Sequence, residues 1–281
     1  MRKFSHTYTN KLIAMSENNI HPTAIIDPAA TIGDNVSIGP YCTVGPNVIL
    51  GDNITLKSHV VVDGHTTIGE GTVVFPFVSL GTDPQDLKYR GEPTKLTIGK
   101  NNKIREYTTM NPGTTDDRGE TSVGDNCLFM MSTHVAHDCV VGNNVIMANN
   151  ATLGGHVHVG DFAIIGGLAA VHQFIRIGEH AIIGGMSGVE NDVIPFGRVK
   201  GERAFLHGLN LIGLERRGFE KDEVRKLQRA FNQLFGDEGT MDQRIESVAQ
   251  DFDDDETIMA IIEFAKAKTK FPLCQPPRKN S

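Results

Sequence analysis

The sequence predicts an all-β solenoid, a parallel β-helix of hexapeptide repeats, closed at one end by an α-helical C-terminal domain. Three observations predict it. An aliphatic residue recurs at every sixth position, two polar stretches interrupt that rhythm without ending it, and the period becomes helical after Pro195.

The first series runs Ile20, Ile26, Ile32, Ile38, Val44, Leu50, Leu56, Val62, Ile68, Val74 and Leu80. It resumes at Ile98, Ile104 and Met110, shifts by one, and continues from Val123 through Phe129, Val135, Val141, Met147, Leu153, Val159, Ile165, Val171, Ile177 and Ile183 to Val189. Three hexads make one triangular coil, so residues 18 apart stack at the strand spacing of about 4.8 Å. Glycine often follows the aliphatic residue, as at Gly33, Gly45, Gly124 and Gly142, which predicts corners of unusual φ/ψ there. Cys42, Cys127 and Cys139 fall four places after an aliphatic and read as compact interior fillers rather than nucleophiles. With Cys274 they show no CxxC spacing and need no pairing in a reducing compartment.

The interruptions are 82–97 (TDPQDLKYRGEPTKLT) and 112–122 (PGTTDDRGETS), rich in Gly, Pro and Asp. Both read as loops ejected from corners, and loops in so regular a scaffold are candidates for function. The predicted organisation is an N-terminal extension over 1–19, with Met15 as the natural start, a β-helix over 20–196, and a helical domain over 197–281. VRKLQRAFNQLF puts Val224, Leu227, Phe231 and Leu234 on one helix face, and 255–268 has a similar pattern. Gly218, Gly236 and Gly239 mark helix ends, and the tail FPLCQPPRKNS is expected to be loose.

With 27 basic and 34 acidic residues the net charge is -7, which argues against a nucleic-acid partner. The basic N-terminus has no apolar run of signal-peptide length, and no segment has the length of a membrane span, so the expected location is the cytoplasm.

STHVAHDC, residues 132–139, holds the chemistry. The hexad register puts His137 one coil before Gly155, which His156 follows; His134 precedes the same corner and Asp138 adjoins His137. Asn149, Asn150, His158, His172 and Gln173 make the neighbouring coils polar. A histidine titrates near neutrality and can act as general base. A glycine N–H can approach closely enough to hold an oxyanion. Acyl transfer to a hydroxyl needs both. Two other readings stand beside it: a Zn²⁺ site built from His134, His137 and His156, and a non-catalytic scaffold whose histidines face solvent or a neighbouring copy.

STHVAHDC, followed by NNATLGGHV, DFAIIGG, AAVHQF and NLIGLERRGF, closely resembles the UDP-N-acetylglucosamine O-acyltransferase family that begins lipid A biosynthesis. The similarity spans residues 20–220 in order and includes the loop QDLKYRGEPT. It implies a homotrimer of left-handed β-helices with active sites between subunits. It also implies transfer of a 3-hydroxyacyl chain from acyl carrier protein to the glucosamine 3-hydroxyl of UDP-N-acetylglucosamine, with no cofactor and no metal. By position, the resemblance makes His137 the general base, Asp138 its carboxylate and Gly155 the oxyanion donor. His134, His156, His172 and Gln173 line the substrate cleft, and Gln85, Asp86 and Lys88 hold sugar and acyl portions. Asn210, Arg216 and Arg217 lie at the nucleotide end, and Gly185 matches the position that sets acyl-chain length. Some relatives carry an acid where Ile212 stands here, a departure that puts in doubt a uracil or ribose contact from that side chain. Arg198, Lys200 and Arg203 form a basic group suited to an acidic carrier.

Overall fold

A computed structural model describes residues 17–277; residues 1–16, most of the expected N-terminal extension, and 278–281 lie outside the described residues. The hexads form a left-handed parallel β-helix with a helical C-terminal part. Its three faces are sheets of 11, 9 and 8 strands, parallel throughout except that the largest ends in an antiparallel hairpin.

Most strands are two residues long, an outward residue followed by the buried aliphatic, as in Thr43–Val44 and His134–Val135. Partners in register are 18 apart, for example Thr43 with Val61 and His134 with Thr152. Across the first loop the interval lengthens to 30 (Ile68 with Ile98), and across the second to 25 (Ile98 with Val123). The loops thus hold extra chain without disturbing the stack. They are shorter than predicted. Lys95–Ile98 and Glu120–Val123 are four-residue strands, because Leu96 and Thr121 point inward and prolong one face.

The interior is filled by the aliphatic series together with the small residue four places later. Cys42, Cys127 and Cys139 are buried free thiols in that second role, and burial pushes the Cys139 thiol up to about 12.

The corners differ from expectation. The positive φ falls three places after the aliphatic, at Tyr41, Asp138, His156 and Phe174 among others, and on the glycine that directly follows it only at Gly81, where the first loop departs. Those glycines are required by vertical packing instead: a Cβ on Gly33 would lie 2.7 Å from the Gly51 carbonyl carbon, and one on Gly124 2.7 Å from that of Gly142. The strained corner residues offset their conformation by stacking. Tyr41, His59, Phe77 and Tyr107 form one ladder, at 5.0, 4.9 and 5.2 Å between centroids. Phe162, His180 and Phe196 form another, at 4.8 and 5.1 Å.

Residues 197–209, assigned from the sequence to the helical domain, begin as a hairpin (Gly197–Lys200 and Phe205–Leu209) whose first strand pairs with Ile182–Ile183. Helices α1 (Leu211–Arg216), α2 (Lys221–Leu234), α3 (Met241–Asp251) and α4 (Glu256–Lys266) follow. Leu227 and Leu234 of α2 are buried as its pattern predicted, while Val224 and Phe231 are partly buried. Over its described residues, 271–277, the tail is not loose: Cys274 N donates to Asp192 O at 2.7 Å, Leu206 N donates to Gln275 O at 2.9 Å, and Cys274 is buried.

His180, sandwiched between phenyl rings with Arg217 and Asp161 nearby, has its pKa lowered by burial to about 4, and its Nδ1 has no hydrogen-bond partner. Between that value and the ordinary 6.5 the unfolded chain binds a proton that the folded chain refuses, so stability falls as pH drops through this window. His180→Phe should keep the stack and flatten that dependence. Urea midpoints at about pH 7.5 and pH 4.5 check it; an unchanged difference between the two would contradict the assignment.

Candidate active site

Both loops leave the solenoid at one corner, the one after the face containing Ser79–Leu80 and Thr109–Met110. The next three coils place His137–Asp138, Gly155–His156 and Gln173–Phe174 on that same corner, joined by His156 N donating to His137 O and Phe174 N donating to Gly155 O, each at 3.0 Å. The first loop is tied down by Asn111 Nδ2, which donates to the carbonyls of Thr82 (3.1 Å) and Asp83 (3.2 Å). Lys88 of the first loop pairs with Asp116 of the second at 2.8 Å. Corner and loops enclose a cleft of about 1320 Å³.

Asp138 is fully buried. Its carboxylate accepts from Thr114 N at 3.0 Å, Thr114 Oγ1 at 2.7 Å and His137 Nδ1 at 2.9 Å. Burial would raise its pKa, but the hydrogen bonds from His137 and Thr114 outweigh burial and hold it below the ordinary carboxylate value. A carboxylate only accepts, so the proton between the two residues sits on His137 Nδ1 and leaves Nε2 as the free base. Gly155 fits against that imidazole. A Cβ there would lie 2.6 Å from His137 Cε1 and 2.6 Å from Nε2. The Gly155 N–H, on the first residue of the corner, has no acceptor among the described residues.

His134 projects from the strand just before the corner, its Nδ1 2.7 Å from Thr109 Oγ1. Burial, with His137 nearby, lowers its pKa and keeps it neutral. His156 packs edge-on against His137 at 4.9 Å, stacks flat on Phe174 at 4.2 Å, and hydrogen-bonds through Nδ1 to Asp117 Oδ2 at 2.6 Å. The metal reading changes membership. His137, Asp138 and His156 offer donor atoms within 4.8 Å of one another, whereas His134 stands outside that group. Asp138 Oδ2 already receives His137 and Thr114, an arrangement suited to orienting a base.

Nine predicted residues line the cleft: Gln85, Asp86, Lys88, His134, His137, Gly155, His156, His172 and Gln173. Asp138 lies directly behind His137. The other four lie away from the cleft. Gly185 sits at a different corner, where a Cβ would be 3.2 Å from Gly167 O. Asn210 caps α1, its Oδ1 accepting from Gly213 N at 3.1 Å. Arg216 is exposed in the last turn of α1, and Arg217 donates to Phe162 O at 3.1 Å. Thr114, Asp117, Phe174 and Lys270 were not singled out from sequence. The TTDD run in the second loop was a signal for the first two, but the altered interval across that loop hides that Thr114 meets Asp138.

The family described as "Udp N-acetylglucosamine O-acyltransferase; Domain 2" matches residues 192–273, and the "Bacterial transferase hexapeptide (six repeats)" family matches 18–64 and 120–155. An acyl-[acyl-carrier-protein]–UDP-N-acetylglucosamine O-acyltransferase of Caulobacter vibrioides is 49% identical over 260 residues, 92% of this chain and 99% of that protein. One of the same name from Methylobacterium radiotolerans is 56% identical over 203 residues, 72% of this chain and 75% of its own length. The solved UDP-N-acetylglucosamine acyltransferase of Campylobacter jejuni superposes with a TM-score of 0.86 at 40% identity, covering 92% of this chain and all of that one. With nearly full-length similarity in sequence and in fold, the chain belongs to the UDP-N-acetylglucosamine O-acyltransferase family.

Proposed function

We propose that this protein transfers a 3-hydroxyacyl chain from acyl carrier protein to the glucosamine 3-hydroxyl of UDP-N-acetylglucosamine, the first step of lipid A biosynthesis. One observation supports the mechanism above others: His137 presents its free Nε2 beside Gly155 while its Nδ1–H donates a hydrogen bond to the Asp138 carboxylate.

In this reading Nε2 removes the hydroxyl proton as the oxygen attacks the thioester carbonyl. The Gly155 N–H donates to the oxyanion that forms. Asp138 holds the tautomer and stabilises the imidazolium, and the tetrahedral species then collapses, expelling the carrier thiolate, which takes the proton back from Nε2. Base and oxyanion donor contribute about 10²- to 10⁴-fold and about 10²- to 10³-fold, without an acyl-enzyme or a cofactor. Thr114 ties the second loop to this geometry, since it supplies two of the bonds that keep Asp138 ionised.

The active enzyme in this reading is a homotrimer with sites between subunits. In one chain, Gly185, Asn210, Arg216 and Arg217 lie off the His137 cleft; a neighbouring copy supplies them, its arginines at the nucleotide and its Gly185 at the end of the acyl chain. Among the described residues no helix is long and apolar enough to cross a membrane, in keeping with a cytoplasmic enzyme acting on a carrier-bound donor.

His137→Ala should lower kcat/KM by about 10³-fold while moving the melting temperature little; retained activity would contradict the base assignment. Mixing the inactive chains His137→Ala and Arg217→Ala, after co-refolding, should restore about a quarter of wild-type activity if each site takes one residue from each of two neighbours. No recovery would place each site within one chain. Gly185→Met should shift the preferred donor to a shorter chain, each displaced methylene costing about 0.8 kcal/mol. An unchanged profile across a panel of 3-hydroxyacyl carriers would remove Gly185 from this role.

A further inference from the structure

After α4 the chain turns back onto the solenoid as a strap. Asp192, fully buried, is its anchor: it accepts from Arg176 Nε at 2.8 Å and from Thr269 Oγ1 at 2.9 Å, while its backbone pairs with Pro272 O at 3.0 Å and Cys274 N at 2.7 Å. Arg176 also donates to Phe264 O at 3.1 Å, locking the end of α4 to the same knot. So fastened, the strap lays Phe271 edge-on against His172, centroids 5.4 Å apart, and brings Lys270 Nζ to 3.7 Å from the centre of the Phe174 ring.

Phe174 stacks on His156, which touches His137. Lys270 therefore stands on the reactive corner at the rim of the cleft, two rings from the base. Its side chain is exposed, and the ring under it fixes the ammonium while leaving N–H donors toward the cleft. The cleft's other cation, Lys88, is paired with Asp116. Among the described residues Lys270 has no carboxylate within ion-pair distance, although the cleft also contains Asp86 and Asp117. A cation held by a buried anchor, resting on an aromatic plate and unpaired, is arranged to receive an anion from outside the chain.

We propose that Lys270 is a phosphate-binding residue of this cleft, positioned by the Asp192 strap. The proposal rests on the acyl-transfer reading, in which both substrates bring phosphate oxygens: the diphosphate of the nucleotide sugar, and the phosphate ester of the carrier's phosphopantetheine arm.

The test compares wild type, Lys270→Gln and Lys270→Arg by calorimetric titration with UDP-N-acetylglucosamine and, separately, with 4′-phosphopantetheine, and by steady-state kinetics varying each substrate. Lys270→Gln should weaken one of the two ligands by about 10-fold, the usual effect of losing a charged hydrogen bond. The matching KM should rise with kcat largely kept, the sensitivity to added salt should lessen, and Lys270→Arg should restore most of the affinity. A change confined to the nucleotide assigns the diphosphate, and one confined to 4′-phosphopantetheine and the carrier KM assigns that arm. Unchanged affinity and KM for both, with or without a lower melting temperature, would overturn the proposal and leave Lys270 a packing residue on Phe174. Absence of acyl transfer in the wild type would instead count against the acyl-transfer reading, and the titrations distinguish the two failures.

Discussion

The structure depends on the backbone ladder that locks each coil to the next. Parallel hydrogen bonds such as His134 N to Ala151 O (3.0 Å) and Gly154 N to Val171 O (2.9 Å) fix the vertical spacing near the strand separation of about 4.8 Å. No side chain on a corner can change that distance. An imidazole at position 137 therefore occupies the place where a side chain at 155 would start, and only glycine there leaves both residues in their conformations. The same spacing brings the Gly155 N–H beside the His137 imidazole and stacks His156 on Phe174, with His137 edge-on to His156. The site's geometry follows from coil registry, and its precision is that of the sheet.

A second layer of control comes from the inserted loops, which emerge directly beneath the reactive corner. A fully buried carboxylate would be costly to ionise without partners. The second loop provides two of them at Thr114, so a surface loop helps keep ionised the carboxylate that accepts from His137 Nδ1. Closing such loops costs little, since loop entropy grows slowly with length, and the ladders above and below keep their pairing. The scaffold can therefore hold irregular chain where chemistry needs it and stay regular elsewhere. The C-terminal strap works similarly from the other end of the cleft, anchored on Asp192 rather than on the ladder.

Much of this was legible in the sequence because a period of six is a strong signal with one geometric solution. The faces, the inward series, the filler cysteines and the stacking of His137 on Gly155 all follow from counting. Where counting fails, the reading failed with it. Corner glycines were assigned to backbone strain, yet the strained φ belongs to residues such as Asp138 and His156. The hairpin at 197–209 and helix α3 were not anticipated, since neither follows the hexad nor has a strong apolar stripe. The tail looked loose because Pro and charge suggest it, whereas its order comes from Asp192, 82 positions before Cys274 in the chain. Thr114 and Lys270 share that obstacle: their contacts cross a loop or a whole domain, and no local pattern encodes such a distance.

In the proposed reaction, coil registry sets the general base, His137 Nε2, beside the oxyanion donor, the Gly155 N–H. A crystal structure with UDP-N-acetylglucosamine bound tests it most directly. The account predicts the glucosamine 3-hydroxyl within hydrogen-bond reach of His137 Nε2, with the Gly155 N–H still unpaired and facing the space that an acyl carbonyl would enter. A sugar bound away from this corner, or a 3-hydroxyl held by another group with His137 turned aside, would contradict it.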